Sequence, residues 1–215
     1  MLRSLVGSEM CIRDSLSGIL AVSAMFLMSL PARAQITPDT YFNIDWQINL
    51  PLSNGFAENG SGWGANFEGG YYLSPSFALG AFLNYHTNHE YVSRRTIQLN
   101  NTTSMSTDQQ HSLFQLPFGV AAHYRFDYNK FQPYVGFKLG AQYAHMTSDF
   151  YIYEESKNTW GFYMSPEIGF EYYPWTNGLG FHAAFYYSFS TNKGTLLDSD
   201  INKLNNLGFR IGVAF

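Results

Sequence analysis

The sequence predicts an all-β chain, an eight-stranded antiparallel up-and-down transmembrane β-barrel, and three observations carry that expectation. From Gln35 onward no stretch of 18 apolar residues occurs, so a membrane-crossing chain has only the closed barrel open to it. Apolar residues alternate with small or polar ones in segment after segment, the period of a strand with two different faces. The connections between those segments sort by parity into a short set and a long set. Composition agrees. With 18% aromatic residues, 19 Gly and only 13% charged residues, the chain is too apolar for disorder and too poor in helix formers for a bundle. A formal charge of -4 with only 12 Lys plus Arg argues against a nucleic-acid partner.

Residues 1–34 read as an export signal and 35–215 as the barrel. Leu16 to Leu30 is an apolar run of signal-peptide length, and Ala32 and Ala34 supply the small-x-small pattern for cleavage after Ala34. A permanent helix needs about 20 apolar residues, and Pro31 and Arg33 interrupt this one too early. Met1 to Ser15 carries Glu9 and Asp14 beside Arg3 and Arg13, unlike a short basic leader, and reads as a misassigned start or non-native upstream sequence. Cys11 precedes the apolar run, where a lipoprotein cysteine would follow it, so no lipid anchor is expected. The cleaved chain then has no cysteine, which suits passage through an oxidising compartment.

The strands follow in order. The first presents Phe42, Ile44, Trp46, Ile48 and Leu50 on its apolar face; the second Trp63, Ala65, Phe67, Gly69 and Tyr71; the third Phe77, Leu79, Ala81, Leu83 and Tyr85. In the fourth, Phe114, Leu116, Phe118, Val120, Ala122 and Tyr124 oppose Gln115, Gly119, Ala121, His123 and Arg125. The fifth sets Phe131, Val135, Phe137, Leu139 and Tyr143 against Gln132, Tyr134, Lys138 and Gln142. The sixth sets Trp160, Phe162, Met164, Ile168, Phe170 and Tyr172 against Tyr163, Ser165, Glu167 and Glu171. The seventh sets Leu179, Phe181, Phe185, Tyr187 and Phe189 against His182, Tyr186, Ser188 and Ser190. In the eighth, Leu207, Phe209, Ile211, Val213 and Phe215 oppose Gly208, Arg210, Gly212 and Ala214. Leu73 to Ser76, Asp127 to Lys130 and Pro174 to Gly178 are short and rich in turn residues. Pro51 to Ser61, His89 to Gln110, Thr147 to Asn158 and Asn192 to Asn205 are longer and polar, and are expected to be loops.

This layout resembles the small eight-stranded outer-membrane barrels of Gram-negative bacteria, the OmpA/OmpX-like group, over essentially the whole exported chain. The resemblance implies short periplasmic turns and longer extracellular loops. It also implies that Leu207, Phe209, Ile211, Val213 and Phe215 form the alternating terminal signal, closed by Phe, that the outer-membrane insertion machinery reads. No peptidoglycan-binding domain follows Phe215, so the wall-tethering role of two-domain relatives is not carried over.

Tyr and Trp gather where strands meet connections, as interfacial belts require. The turn side has Tyr41, Tyr71, Tyr124, Tyr128, Tyr172 and Trp175; the loop side has Trp63, Tyr85, Tyr143, Tyr151, Tyr153 and Trp160. Eight strands enclose only enough space for side chains, so the lumen is expected to be filled. Its charged members are Asp45, Glu68, Glu167 and Glu171 against Arg125, Lys138 and Arg210, with His86, His123 and His182. Buried charges must be paired, and Arg210 is expected near Asp45 and Lys138 near Glu167.

Catalysis, cofactor and metal are not expected. Phe189-Ser190-Thr191-Asn192-Lys193-Gly194 faintly resembles the His-x-Ser-Asn-x-Gly region of lipid A deacylase barrels, but Phe189 stands where the base would be. His86 and His89 point to opposite faces of one strand. The expected function is a scaffold that presents its extracellular loops for adhesion, host-factor binding or envelope stabilisation. The alternative is a small porin-like channel for modest solutes, and a lipid-modifying enzyme comes last. Expected partners are outer-membrane lipid and lipopolysaccharide, the insertion machinery and an extracellular ligand.

Overall fold

The computed structural model describes residues 40–215 apart from 53–55, 101–102, 151–152, 176–177, 197–198 and 202, so the export segment and Tyr151 lie outside the described residues. Among the described residues no helix is long and apolar enough to cross a membrane. The strands are β1 Thr40–Pro51, β2 Gly64–Ser74, β3 Phe77–Asn100, β4 Thr103–Arg125, β5 Phe131–Phe150, β6 Tyr153–Tyr172, β7 Gly180–Ser190, β8 Gly194–Leu196, β9 Ser199–Ile201 and β10 Leu204–Ala214. Eight of the described strands close in the order β1-β10-β7-β6-β5-β4-β3-β2, every pair antiparallel, while β8 and β9 form a separate hairpin. At the seam, Phe42 and Phe215 exchange backbone N–H···O bonds of 3.1 and 2.9 Å.

Alternation holds around the ring because lipid lies on one side and packed side chains on the other. Along β1, Phe42, Trp46 and Leu50 are exposed while Asn43, Asp45, Gln47 and Asn49 are buried. Tyr41 shares the parity of that inner set, so it is 3% exposed and points into the lumen; it is not an interfacial ring. Trp63, Tyr71, Tyr85, Tyr124, Tyr128, Trp160, Tyr172 and Trp175 do face outward.

The inner wall fits large against small. The lumen-facing row Phe82, Gly119, Gly140, Tyr163 runs across β3 to β6, and the Phe82 and Tyr163 rings meet over the two glycines at 5.7 Å. A Cβ on Gly140 would strike the Phe118 carbonyl and lie 2.8 Å from the Gly119 Cα. Gly140→Val is therefore expected to cost at least about 1–3 kcal/mol by overpacking, read as a lower urea midpoint of the refolded barrel; an unchanged midpoint would contradict this packing.

Two ladders break inside the wall. The β3–β4 register skips Asn84/Pro117 and Tyr85/Leu116, and the β6–β7 register skips Ser165/Ser188 and Pro166/Tyr187. A proline has no N–H to donate, and both breaks fall on the side its missing N–H would face. Pro117 and Pro166 keep their register with β5.

The long connections differ from the expected loops. β3 and β4 stay paired from the barrel out to Asn100 and Thr103, and β5 and β6 to Phe150 and Tyr153. The described residues of His89 to Gln110 and of Thr147 to Asn158 are thus strand extensions, and Asn192 to Asn205 contains the β8–β9 hairpin. The described residues of the first connection beyond β1 belong to no named strand, but they carry Phe56 and Ala57 inward. These pack with Leu113, Ala144, Met146, Ile201 and Leu204 in an apolar cluster at the long-connection end. The β4–β5 turn is polar at its tip: the Asp127 carboxylate accepts from Asn129 Nδ2 and from the N–H groups of Tyr128 and Asn129, which hold it below the usual carboxylate range.

Candidate functional site

The inward parity of five strands brings a closed ring of charge together at mid-lumen. Lys138 Nζ of β5 lies 2.6 Å from Glu68 Oε2 of β2 and 2.9 Å from Glu167 Oε2 of β6. On the other side of the same carboxylates, His123 Nε2 of β4 lies 2.7 Å from Glu68 Oε1 and 3.3 Å from Glu167 Oε1. Arg210 of β10 completes the set with Nη1 on Glu167 Oε2 and its Nε donating to Gln47 Oε1 at 2.9 Å. All of these side chains are buried. Buried charges are tolerable only when paired and hydrogen-bonded, and each carboxylate here meets more than one donor.

Arg210 and Asp45 are not ion-paired. Register sets Arg210 opposite Gln47 and Asp45 opposite Gly212, and the long guanidinium crosses the narrow lumen to β6. Asp45 takes its own partners, His182 Nδ1 at 2.5 Å and Asn66 Nδ2 at 2.6 Å. Asn66 Oδ1 in turn accepts from Lys138 at 3.2 Å. Lys138 meets Glu167 and also Glu68, its neighbour across the lumen.

On the short-turn side of the ring, and sharing His123 with it, aromatic rings form a partition. Tyr41, His123, Tyr134 and His182 stack in succession with centroids 4.8, 4.4 and 5.6 Å apart and interplanar angles of 20°, 23° and 21°. Tyr41 donates to Glu68 Oε1 at 3.0 Å, and the Tyr134 hydroxyl lies 2.6 Å from His182 Nε2. Glu171 stands apart from the ring and accepts from Asn43 Nδ2 and Tyr173 OH, each at 3.0 Å. Arg125 is at the rim: it donates to Gln132 Oε1 at 2.8 Å and Pro75 O at 3.0 Å, with its guanidinium 4.0 Å from the Tyr72 ring centroid.

Above the ring the filling is neutral. Gln47 reaches Asn49 and His86, Gln142 donates to Gln115 Oε1 at 2.8 Å, and Tyr186 donates to Asn49. Ser190 donates to Asn192 Oδ1 at 2.8 Å, while Asn192 Nδ2 bonds the Gln142 and Thr159 carbonyls. The Ser190 hydroxyl is thus engaged by an amide in a structural contact. Higher still, the Phe56 ring lies on the His111 imidazole at 4.3 Å and 7°, and His111 Nδ1 donates to the Phe56 carbonyl at 2.7 Å. Glu90 Oε2 accepts from the Glu58 N–H at 2.8 Å and Asn88 Nδ2 donates to Asn59 O at 3.2 Å, pinning the first connection to β3.

Potential ligand atoms of Glu68, His123 and Glu167 lie within 4.8 Å of one another, a spacing that could hold a cation. The Lys138 ammonium takes that position between the two carboxylates, so the site already carries its positive charge. His86 faces the lumen and His89 the outside, where its Nδ1 lies 3.1 Å from Ser112 Oγ. The bridging work of His123 and His182 and the partition built on Tyr41 and Tyr134 exceed what residue type alone discloses; strand parity is the signal that finds them.

Residues 19–215 match the model of the outer membrane protein beta-barrel domain family. No curated protein matches the chain. Among solved structures, the attachment invasion locus protein Ail of Yersinia pestis is 13% identical, over 82% of this chain and 98% of that one, with a TM-score of 0.45. Neisserial surface protein A is 15% identical over 81% and 95%, with a TM-score of 0.48. OprG from Pseudomonas aeruginosa is 13% identical over 82% and 94%, with a TM-score of 0.46. With its closed ring of eight antiparallel strands and its family match over nearly the whole length, the chain belongs to the outer membrane protein beta-barrel domain family and is a protein of the Gram-negative outer membrane.

Proposed function

We propose that the barrel is a sealed, non-enzymatic mount whose extracellular part makes surface contacts in adhesion, host-factor binding or envelope stabilisation. The observation that carries this reading is the filled lumen, where the Glu68, His123, Lys138, Glu167 and Arg210 side chains bond one another across the bore. A rigid scaffold that fixes its outer elements suits recognition. The β3–β4 hairpin, reaching from the barrel to Asn100 and Thr103, is the longest such element. Replacing residues 92–109 by an Asn-Gly turn that joins the paired Tyr91 and Gln110 tests the reading. Bacteria displaying the shortened barrel are expected to keep its heat-dependent gel shift and to lose attachment to cultured epithelial cells. Unchanged attachment would count against the hairpin as the contact surface.

The terminal residues Leu207, Phe209, Ile211, Val213 and Phe215 serve, in the same reading, as the insertion signal. Deletion of Phe215 removes the last outward ring and the backbone pair with Phe42. Folded barrel recovered from the outer membrane is expected to fall severalfold, while full recovery would remove Phe215 from that role.

A further inference from the structure

The lipid-facing wall has a recess. On β7, Ala183 is flanked in register by Phe170 of β6 and Ile211 of β10, and the next row up holds Ile168, Phe185 and Phe209. The small side chain among large ones leaves a groove of about 240 Å³ lined by Ile168, Gly169, Phe170, Ala183, Phe185 and Phe209. Every lining residue is apolar. Ala183 is three residues from the periplasmic start of β7, about 10 Å along a strand, which places the groove in the periplasmic half of the apolar band.

A second observation lies beneath it. Lys130 is exposed at the periplasmic rim, and its Nζ donates to the Pro174 carbonyl at 3.4 Å, which sets an ammonium under the end of β6. Four residues separate Phe170 from Pro174, about 13 Å along the chain, comparable to the reach from a lipid phosphate to the middle of its acyl chain. Bulk lipid is as apolar as the wall, so area alone gives no preference for one molecule over its neighbours; shape fit and headgroup charge do.

We propose that this groove and Lys130 seat one glycerophospholipid of the periplasmic leaflet, an acyl chain over Ala183 and the phosphate against the Lys130 ammonium. The occupant is a bilayer lipid because Ile168, Phe170 and Phe185, which line the recess, are exposed on the outward face within the apolar band.

The full chain, expressed into a bacterial outer membrane, extracted in mild detergent and checked for its heat-dependent gel shift, is examined by native mass spectrometry. One retained phospholipid per barrel is expected. Ala183→Phe, which fills the floor, lowers the retained fraction at least about fivefold, and Lys130→Gln, at an exposed site, lowers it about twofold. Ala81→Phe, on the outward face of β3, leaves it unchanged. The proposal is overturned by a barrel that retains no phospholipid, by equal loss in Ala81→Phe and Ala183→Phe, or by a retained mass that is lipopolysaccharide. Retention unaffected by Lys130→Gln overturns its headgroup half.

Discussion

Glu167→Ala is expected to destabilise the lipid-embedded barrel by roughly 3–5 kcal/mol, the usual result of removing one partner from a buried charge set. Glu167 is where the network converges: Arg210, Lys138, His123 and Tyr134 all bond its carboxylate. Lys138 and His123 keep Glu68, but Arg210 is left buried with Gln47 as its remaining side-chain acceptor among the bonds described. Buried ion pairs are weak evidence of net stability, because an apolar filling can do as well; the cost arises from leaving a charge unmatched. Arg210→Met in the same background is therefore expected to recover part of the loss. Urea unfolding of the single and double variants in phospholipid vesicles measures this directly. If the two losses simply add, the pair is not coupled as described.

Phe56→Ala is expected to cost about 3–5 kcal/mol, as for other buried aromatic truncations, and to release the first extracellular connection. The ring is 1% exposed, stacked on His111 and packed against Leu113, Met146 and Leu204. Limited proteolysis of intact cells reads the release as faster cleavage within residues 52–63. Leu52→Ala, at an exposed side chain of the same connection, is the control and should leave the rate unchanged. Equal cleavage of Phe56→Ala and the unaltered barrel would mean that other contacts hold the cap.

The barrel wall was legible in the sequence because lipid outside and packed polar groups inside impose the sharpest possible contrast at period 2. Above the membrane that contrast fades. The outward His89, Tyr91 and Ser112 and the inward Asn88, Glu90 and Gln109 are all polar or amphipathic, so strands that continue beyond the bilayer look like loops. The apolar cap was hidden for a related reason: Leu113 and Met146 lie above the charged layers, and their partners Phe56 and Ile201 come from connections that carry no periodicity. Counting Tyr41 by residue type put it in a belt, whereas its parity with Asn43 and Asp45 puts it in the lumen. Pairing across the lumen was legible only in part. Lys138 with Glu167 follows from adjacent strands, but eight strands make a bore so narrow that Arg210 reaches a carboxylate on β6, past its own neighbour β7.

Single-channel recording of the refolded chain, residues 35–215, in a planar phospholipid bilayer tests the sealed lumen most directly. The unaltered barrel should hold a flat baseline, while Glu167→Ala, with its ring broken, should show discrete openings. Steady openings by the unaltered barrel, shifted in ion selectivity by Lys138→Met or Arg210→Met, would contradict the sealed mount and make the charged ring the lining of a path.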